Sequence, residues 1–588
     1  MFKLFRFLKQ YKLSVAAVFI LVFFQAISEL YLPTLMADIV DKGIVNGDTA
    51  YIMTIGGRML VVAVLGTACA ALSSFLSSRT STGFGKILRN KVFTQVENFS
   101  LQEFEKFGTA SLITRTTNDI TQMQQVVMLI LRMMLRAPMM CIGGVIMAVS
   151  KDATLSLVIV FAIPLLAALI MFVTKKGMPL FKAMQVKLDR LNLVLREGLM
   201  GIRVIRAFDR VDYEKKRFNE ANRDLTDTAV RVNKIMAVLM PVITLMLNFT
   251  IIAIIWFGGI RIDNGYMQVG DLMAFIQYVM QIMFALIMVS MLFVMIPRAS
   301  VSAARINEVL DTDCSIKDVL EISPCPNLRV PSGHPMHPDS PKGFINFNNV
   351  TFSYPGAEKP ALSDVSFCVR PGEVTAIIGS IGSGKSTLLS LMLRLFDVNS
   401  GSILIDSVDI REMPQDVLRA KIGYVPQKSI LFTGTIAENI RYGNEGATDE
   451  EVEHAAEIAQ AAEFISQMAD GLESVIDQGG TNVSGGQKQR LSIARALVRR
   501  PEIYAFDDSF SALDFKTDAK LRKALREETA DAAVIVVAQR VSTVMDADQI
   551  IVLDEGKVAG TGKHKELLNT CGVYREIVSS QLSLEELA

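Results

Sequence analysis

Apolar positions fall in two patterns along this chain. Over roughly the first 300 residues they form long uncharged runs, and beyond that they alternate over short stretches broken by glycine and polar turns. A membrane-crossing helix needs about 20 largely apolar residues. Six segments qualify, at 13–35, 52–78, 125–150, 153–174, 235–258 and 272–297. The fourth, ATLSLVIVFAIPLLAALIMFVT, carries no charge. Pro164 inside it is tolerable as a kink, because neighbouring helices can satisfy the freed carbonyl. The third is the weakest, because Arg132 and Arg136 interrupt it. After Gly343 the period changes: FINFNNVTFSY alternates as a strand does. The pattern predicts an α-helical membrane domain of six transmembrane helices over 1–310, a linker over 311–343 and an α/β domain over 344–588.

Charge then orients the helices. Lys3, Arg6, Lys9 and Lys12 precede the first span, and the long loops 79–124 and 175–234 are rich in Lys and Arg. The loops near 36–51, 151–152 and 261–271 are short and carry few basic residues. The positive-inside rule therefore puts the N-terminus, both long loops and everything after residue 298 in the cytoplasm, in a multi-pass membrane protein. Long inner loops between short outer ones imply helices that continue below the bilayer. On that geometry Arg132 and Arg136 are expected at or below the inner headgroups, where their cost falls. The start, MFKLFRFLKQYK, reads as an amphipathic elbow on the membrane surface and not as a cleaved signal peptide.

Composition adds limits. With 588 residues, more than one core is expected. Net charge is zero, which gives no footing for nucleic-acid binding. Cys69, Cys141, Cys314, Cys325, Cys368 and Cys571 show no CxxC spacing, against a disulfide framework or zinc site. Residues 321–343 hold six prolines within eighteen positions, an extended linker. His334 and His337 within it lack nearby Cys or His partners and read as solvated linker residues.

The chemistry concentrates after residue 370. VTAIIGSIGSGKSTLLSLML reads as strand, glycine loop and helix, and Gly379, Ser380, Ile381, Gly382, Ser383, Gly384, Lys385, Ser386 match the P-loop spacing in full, with Thr387 following. The glycines let backbone N–H groups turn around phosphates, and the helix N-terminus favours the anion. Lys385 is placed to reach the terminal phosphates of ATP and Ser386 to ligate Mg²⁺. PEIYAFDD puts Asp507 at the end of a buried strand, the usual second Mg²⁺ anchor of P-loop proteins. Tyr354, twenty-five residues ahead of the loop, is a candidate for stacking on adenine. Ser484, Gly485, Gly486 and Gln487 open a helix whose N-terminus can grip a terminal phosphate.

These last residues, SGGQ followed by KQRLSIARAL, identify the chain as resembling the ATP-binding cassette (ABC) family over its whole length. In that family two cassettes dimerise head to tail, and each signature helix completes the partner's ATP site. The resemblance assigns Gln427 in YVPQ to the Q-loop, which touches Mg²⁺ and the membrane domain, and Ser511-Ala512-Leu513-Asp514 to the D-loop. Six helices followed by one cassette, with long inner loops, resemble the exporter branch. Its coupling helices would fall near 116–124 and 207–215.

Two positions depart from the family pattern. Members that hydrolyse ATP efficiently carry Glu after the strand-end Asp; here it is Asp508. The family also places a histidine after the next strand; here it is Gln539. His334, His337, His454 and His564 all lie elsewhere. Asp is one methylene shorter, and a displacement of about 1 Å at a reacting centre can cost on the order of 100-fold in rate. Glutamine cannot carry a positive charge. Intact phosphate-binding parts with an altered catalytic end resemble the degenerate-site subunit of bacterial heterodimeric multidrug exporters. The implied partner is a second half-transporter whose competent site this chain's signature completes. A homodimer that hydrolyses slowly at two equal sites is the alternative.

The substrate is the least legible part. The last span holds Met273, Met280, Met291 and Met295 near one helical face, soft side chains suited to varied small amphipathic molecules, though ordinary helix packing and lipid contact explain them too. Gln277, Tyr278, Gln281 and Asn248 either line a pathway or bond between helices. Glu29, read as lying near the outer end of the first helix, is a candidate contact for a cationic substrate or an outer gate. Export of drugs or lipids, import of a siderophore on the same fold, and nucleotide gating of another protein all remain open. With about a dozen residues before the first expected span, a peptidase-linked peptide exporter is disfavoured.

Overall fold

The computed structural model describes residues 1–318 and 342–581, with the side chains of Phe2, Thr174 and 290–294 excepted. Cys325, His334 and His337 and most of the expected linker lie outside the described residues. Tertiary contacts divide the chain into two units, Met1–Glu97 with Thr109–Thr312, and Asn98–Gly108 with Asp313–Ala588.

The first unit is helical. Among the described residues six helices are long and apolar enough to cross a membrane: Lys3–Ile44, Thr49–Glu97, Thr109–Lys151, Leu157–Met200, Val211–Asp263, and a sixth running Val269–Asp311. Each contains one of the expected spans, except that the fourth begins at Leu157, after a turn over 153–156. At 1.5 Å per residue a helix of 49 residues is about 74 Å long, well beyond the roughly 30 Å hydrocarbon layer. Polar residues on the inner lengths explain why hydropathy alone sees only part of each helix. Pro33, Pro138, Pro164 and Pro241 all sit inside continuous helices. Phe2–Phe5 and Arg6–Tyr11 form short helical turns, with Leu4 buried and Lys3 paired to Asp311. The core gathers the first, third and sixth helices around Ala26, Leu30, Met140, Phe275, Tyr278 and Ile282.

One expectation is corrected here: Glu29 is not near the outer end of its helix, and it faces Arg136. Arg136 Nη2 donates to Glu29 Oε1 at 2.8 Å and Oε2 at 2.7 Å, and Gln25 Nε2 donates to Oε1 at 3.0 Å. Both residues lie fifteen positions before the outer ends of their helices, at Ile44 and Lys151, a depth of about 22 Å. The first helix continues through Pro33 and the charged Asp38–Lys42 stretch, where hydropathy breaks off. A carboxylate one turn away in space is invisible to a count along one segment.

The inner ends differ as well. Residues 116–124 lie within the third long helix. The chain break falls earlier, at the short helix Leu101–Phe107, capped by Ser100 and Glu103 and closed by Gly108 at φ +72°. This segment belongs to the second unit, where Leu101 packs on the core and Ser100 Oγ lies 2.9 Å from Ser315 Oγ. The other inner turn carries Ile202–Ala207 and reverses over 208–210, close to the expected 207–215.

The second unit is α/β. A six-stranded sheet runs in the order Lys557–Gly562, Gln549–Asp554, Val374–Gly379, Ala533–Val537, Ile503–Asp507, Ile422–Val425, parallel except for the first, antiparallel edge. A separate antiparallel sheet orders Leu362–Val369, Ile345–Phe352, Ser400–Ile405 and Val408–Asp409. Central strands such as Ile503–Asp507 are buried throughout, as parallel strands covered on both faces are. Ligands of such sheets bind at the carboxyl ends of the strands. Gly379, Asp507 and Val537 end three adjacent strands there.

Candidate functional site

The loop after Val374–Gly379 is set by backbone geometry. Gly382 and Gly384 adopt φ +85° and +97°, which side-chain-bearing residues rarely do. A Cβ on Gly379 would meet the Leu553 carbonyl oxygen at 2.1 Å, and one on Gly384 would meet the Ala361 carbonyl at 2.8 Å. Ile381 stands 91% exposed at the loop tip, while Ser383 is buried. The helix Lys385–Met392 follows directly. Lys385 Nζ donates to the carbonyls of Gly379 at 2.9 Å and Ser380 at 2.7 Å, and lies 3.4 Å from Ser383 Oγ. Burial lowers its pKa against the opposing charges of Asp508 and Asp507.

The adjacent strand brings up the carboxylates. Ser386 Oγ donates to Asp507 Oδ1 at 2.9 Å, and Tyr424 OH to Oδ2 at 3.5 Å. Burial, with the charge of Asp508, raises the Asp507 pKa against the Ser386 hydrogen bond. Asp508 takes a left-handed backbone at φ +47°, with its N–H bonded to the Val537 carbonyl at 2.9 Å. That strained turn aims its side chain between two amides. Gln427 Nε2 donates to Asp508 Oδ2 at 3.2 Å, and Gln539 Nε2 donates to the same oxygen at 3.0 Å. Gln489 Nε2 reaches the Asp508 carbonyl at 3.4 Å.

The other expected residues are placed as follows. Tyr354 packs edge-on against Phe352 and Phe396, and its hydroxyl lies 3.0 Å from Thr387 Oγ1. The helix Gly485–Leu497 is capped reciprocally: Ser484 N–H donates to Gln487 Oε1 at 2.8 Å and Gln487 N–H to Ser484 Oγ at 3.3 Å. Gly485 faces open space, whereas a Cβ on Gly486 would meet the Ala512 carbonyl at 3.1 Å. Ser511 Oγ donates to the Asp508 carbonyl at 2.9 Å, and Asp514 caps the next helix through Thr517 N–H. His454 pairs with Glu528, and His564 with the Tyr574 hydroxyl. Tyr424 and Gln489 were missed by sequence reasoning. Tyr424 carried a signal, since it stands on the strand that leads to Gln427.

Phosphate loop, strand-end carboxylates and a glycine-opened helix on one parallel sheet match the ABC transporter family over residues 362–511, and the ABC transporter transmembrane region matches 15–306. An uncharacterized ABC transporter ATP-binding protein of Mycobacterium tuberculosis is 44% identical, over 98% of this chain and 97% of its own length. The chain belongs to the ABC transporter family. Another uncharacterized member, YfiB of Bacillus subtilis, is 39% identical over 98% of each chain. A solved bacterial Atm1-family ABC exporter with ATP bound superposes with a TM-score of 0.78 at 27% identity, over 97% of this chain and 98% of that one. This ABC transporter therefore has the exporter fold, with six candidate spans fused to a cytoplasmic ATP-binding domain in a multi-pass membrane protein. Its ATP-binding domain makes it an ATPase-coupled transporter.

The membrane unit of this transporter holds two neighbouring cavities. One of about 530 Å³ is lined by Gln25, Glu29, Ser73, Arg132, Arg136 and Phe284, among others. The second, about 630 Å³, shares Glu29 and Gln281 and adds Met36, Met59, Met273 and Gln277. Of the four methionines singled out in the last span, Met273 lines a cavity, Met280 and Met295 are half-buried, and the Met291 side chain lies outside the described residues. The first cavity draws its methionines from the third helix instead, at Met128, Met133 and Met140, with Met288 from the sixth. Tyr278 is fully buried and its hydroxyl lies 2.6 Å from Thr34 Oγ1. Asn248 is exposed on the fifth helix.

Proposed function

We propose that this chain is the ATP-holding half of a heterodimeric ABC exporter that moves amphipathic or drug-like small molecules outward across the cytoplasmic membrane. The observation that carries this reading is the state of Asp508. Its Oδ2 accepts from both Gln427 and Gln539. A general base must offer a free lone pair to the attacking water, within about 3 Å. Here the carboxylate is short by one methylene, and each glutamine commits one of its two N–H donors to Oδ2, so Oδ1 alone is left to face the attacking water. Neither amide can supply the positive charge of a protonated histidine near the γ-phosphate.

Binding is supported by different residues. Lys385, the loop N–H groups and the helix N-terminus favour the triphosphate. Ser386 and Asp507 present hard oxygen donors 2.9 Å apart, the donor type that Mg²⁺ takes. Gln427, which donates to the neighbouring Asp508, is the third candidate ligand. Bound Mg²⁺ would neutralise charge on the β- and γ-phosphates. Ser484 to Gln487 then serve a second half-transporter, whose own glutamate and histidine do most of the hydrolysis. Closure of two cassettes around shared ATP biases the membrane helices outward, and hydrolysis releases them.

The test is ATPase activity of the purified full-length chain in lipid nanodiscs. Wild type is expected to hydrolyse slowly, and Asp508→Glu with Gln539→His to raise the rate on the order of 100-fold. Brisk hydrolysis by the unmodified chain would sink the degenerate-site reading in favour of a working homodimer.

A further inference from the structure

We propose that the cavity between the first, second, third and sixth membrane helices selects amphipathic anions, holding a phosphate-type headgroup between Arg132 and Arg136. The inference rests on the export reading and names its substrate class. Two guanidiniums and one carboxylate line this cavity, so it carries one net positive charge. Arg132 lies 19 residues before Lys151, about 28 Å of helix and so near the inner edge of a roughly 30 Å layer, where its charge is tolerable but still faces this cavity. Arg136 has Glu29, engaged through Nη2 alone. Arg132 makes no hydrogen bond or ion pair with another described residue. It sits on a π-type turn, Ile130–Met134, inside the third helix, the kind of insertion that recurs at functional sites.

Glu29 disfavours the opposite choice. Its carboxylate already accepts from Arg136 and from Gln25, so a cationic ligand has to compete with an existing ion pair for it. An anion instead meets Arg132 and the uncommitted N–H groups of Arg136, and guanidiniums match phosphate oxygens two at a time. The remaining wall is soft and apolar, with Met128, Met133, Met140, Phe284 and Met288 available to an alkyl or aryl tail. The volume of about 530 Å³ lies in the range of small-molecule pockets.

Equilibrium binding to the full-length chain in phosphatidylcholine nanodiscs tests this, using tritiated decyl phosphate and decyltrimethylammonium, with empty discs subtracted. Decyl phosphate is expected to bind at least about 10-fold tighter, and Arg132→Gln to weaken it about 10-fold, one lost charge-assisted contact. Arg132→Lys should recover part of the affinity, since it restores charge without the planar fork. ATP photolabelling confirms that each variant is folded. Phosphatidic acid added to the discs separates the sources: competition assigns a lipid headgroup, and no competition assigns a soluble amphipath; either supports an anion site. Equal or tighter binding of the ammonium probe, or an unchanged Arg132→Gln, overturns it. ATP-driven uptake of the ammonium probe into inverted vesicles would then leave the export reading standing, whereas no ATP-driven uptake of either probe would count against export itself.

Discussion

The phosphate loop and the membrane cavity both set cationic side chains in poorly solvated surroundings, but they are built from different materials. The loop is contiguous: Gly379 to Ser386 supply the turn, the amides and the lysine within eight positions. Its cation is held by its own loop, through the carbonyls of Gly379 and Ser380. The cavity is assembled from distant positions. Glu29 and Arg136 are 107 residues apart, and each is an anomaly on its own helix until the other arrives. A local motif tolerates little change in backbone and announces itself. A long-range pair tolerates exchange of its members and announces nothing.

That contrast can be broken in order of expected effect. Lys385→Ala should reduce ATP binding by roughly 100-fold, the loss of charge-assisted hydrogen bonds worth about 3 kcal/mol; photolabelling of the purified chain with an azido-ATP reads it. Retained labelling would show that the loop amides suffice. Gly384→Ala comes next. Its φ of +97° and a Cβ 2.8 Å from the Ala361 carbonyl predict about 1–3 kcal/mol of strain and a matching loss of labelling.

The membrane pair should respond differently. Glu29→Gln leaves Arg136 unpaired and should lower the stability of the membrane unit by about 1–2 kcal/mol, less than a fully buried pair because both side chains keep partial exposure. The exchange Glu29→Arg with Arg136→Glu should recover most of it, measured as thermal denaturation in nanodiscs. No such exchange can rescue the phosphate loop.

The smallest effect concerns the short helix Leu101–Phe107. Burial pushes the Glu103 carboxyl up, but donors from Ser100 and Ser315 outweigh it and hold the pKa below the usual value. A carboxylate with a depressed folded-state pKa contributes stability above its unfolded pKa and loses it as pH falls through the folded value. Hydrogen exchange of residues 100–108 should therefore rise as pH drops below about 4, after correction for intrinsic rates. Ser100→Ala should raise it at neutral pH by the roughly 1 kcal/mol of a lost cap. Exchange independent of both would mean that the capping bonds do not hold this segment.

How much was legible follows from these particulars. The six helices were visible because each crosses a layer that only apolar side chains tolerate. Their continuation below the bilayer was implied by the long inner loops, but its extent was not, because the inner portions of Thr49–Glu97 and Val211–Asp263 read as charged segments. The inner helix expected at 116–124 appeared at Leu101–Phe107, although Ser100 and Glu103 already spelled a capping box. Gln489 escaped because nothing in a helical glutamine announces a carboxylate neighbour, whereas Tyr424 was signalled only by standing on the strand that leads to Gln427.

The sequence by itself determined the family, the order of membrane and ATP-binding parts, and the identity of the unusual residues Asp508 and Gln539. Those depend on residue type and local spacing, which the chain carries openly. Only the tertiary structure decided that Gln427 and Gln539 converge on one oxygen of Asp508, and that Arg136 answers Glu29. Both are meetings of residues far apart in the chain. Packing of strands and helices brings them together, and no period or spacing along the sequence encodes a distance across space.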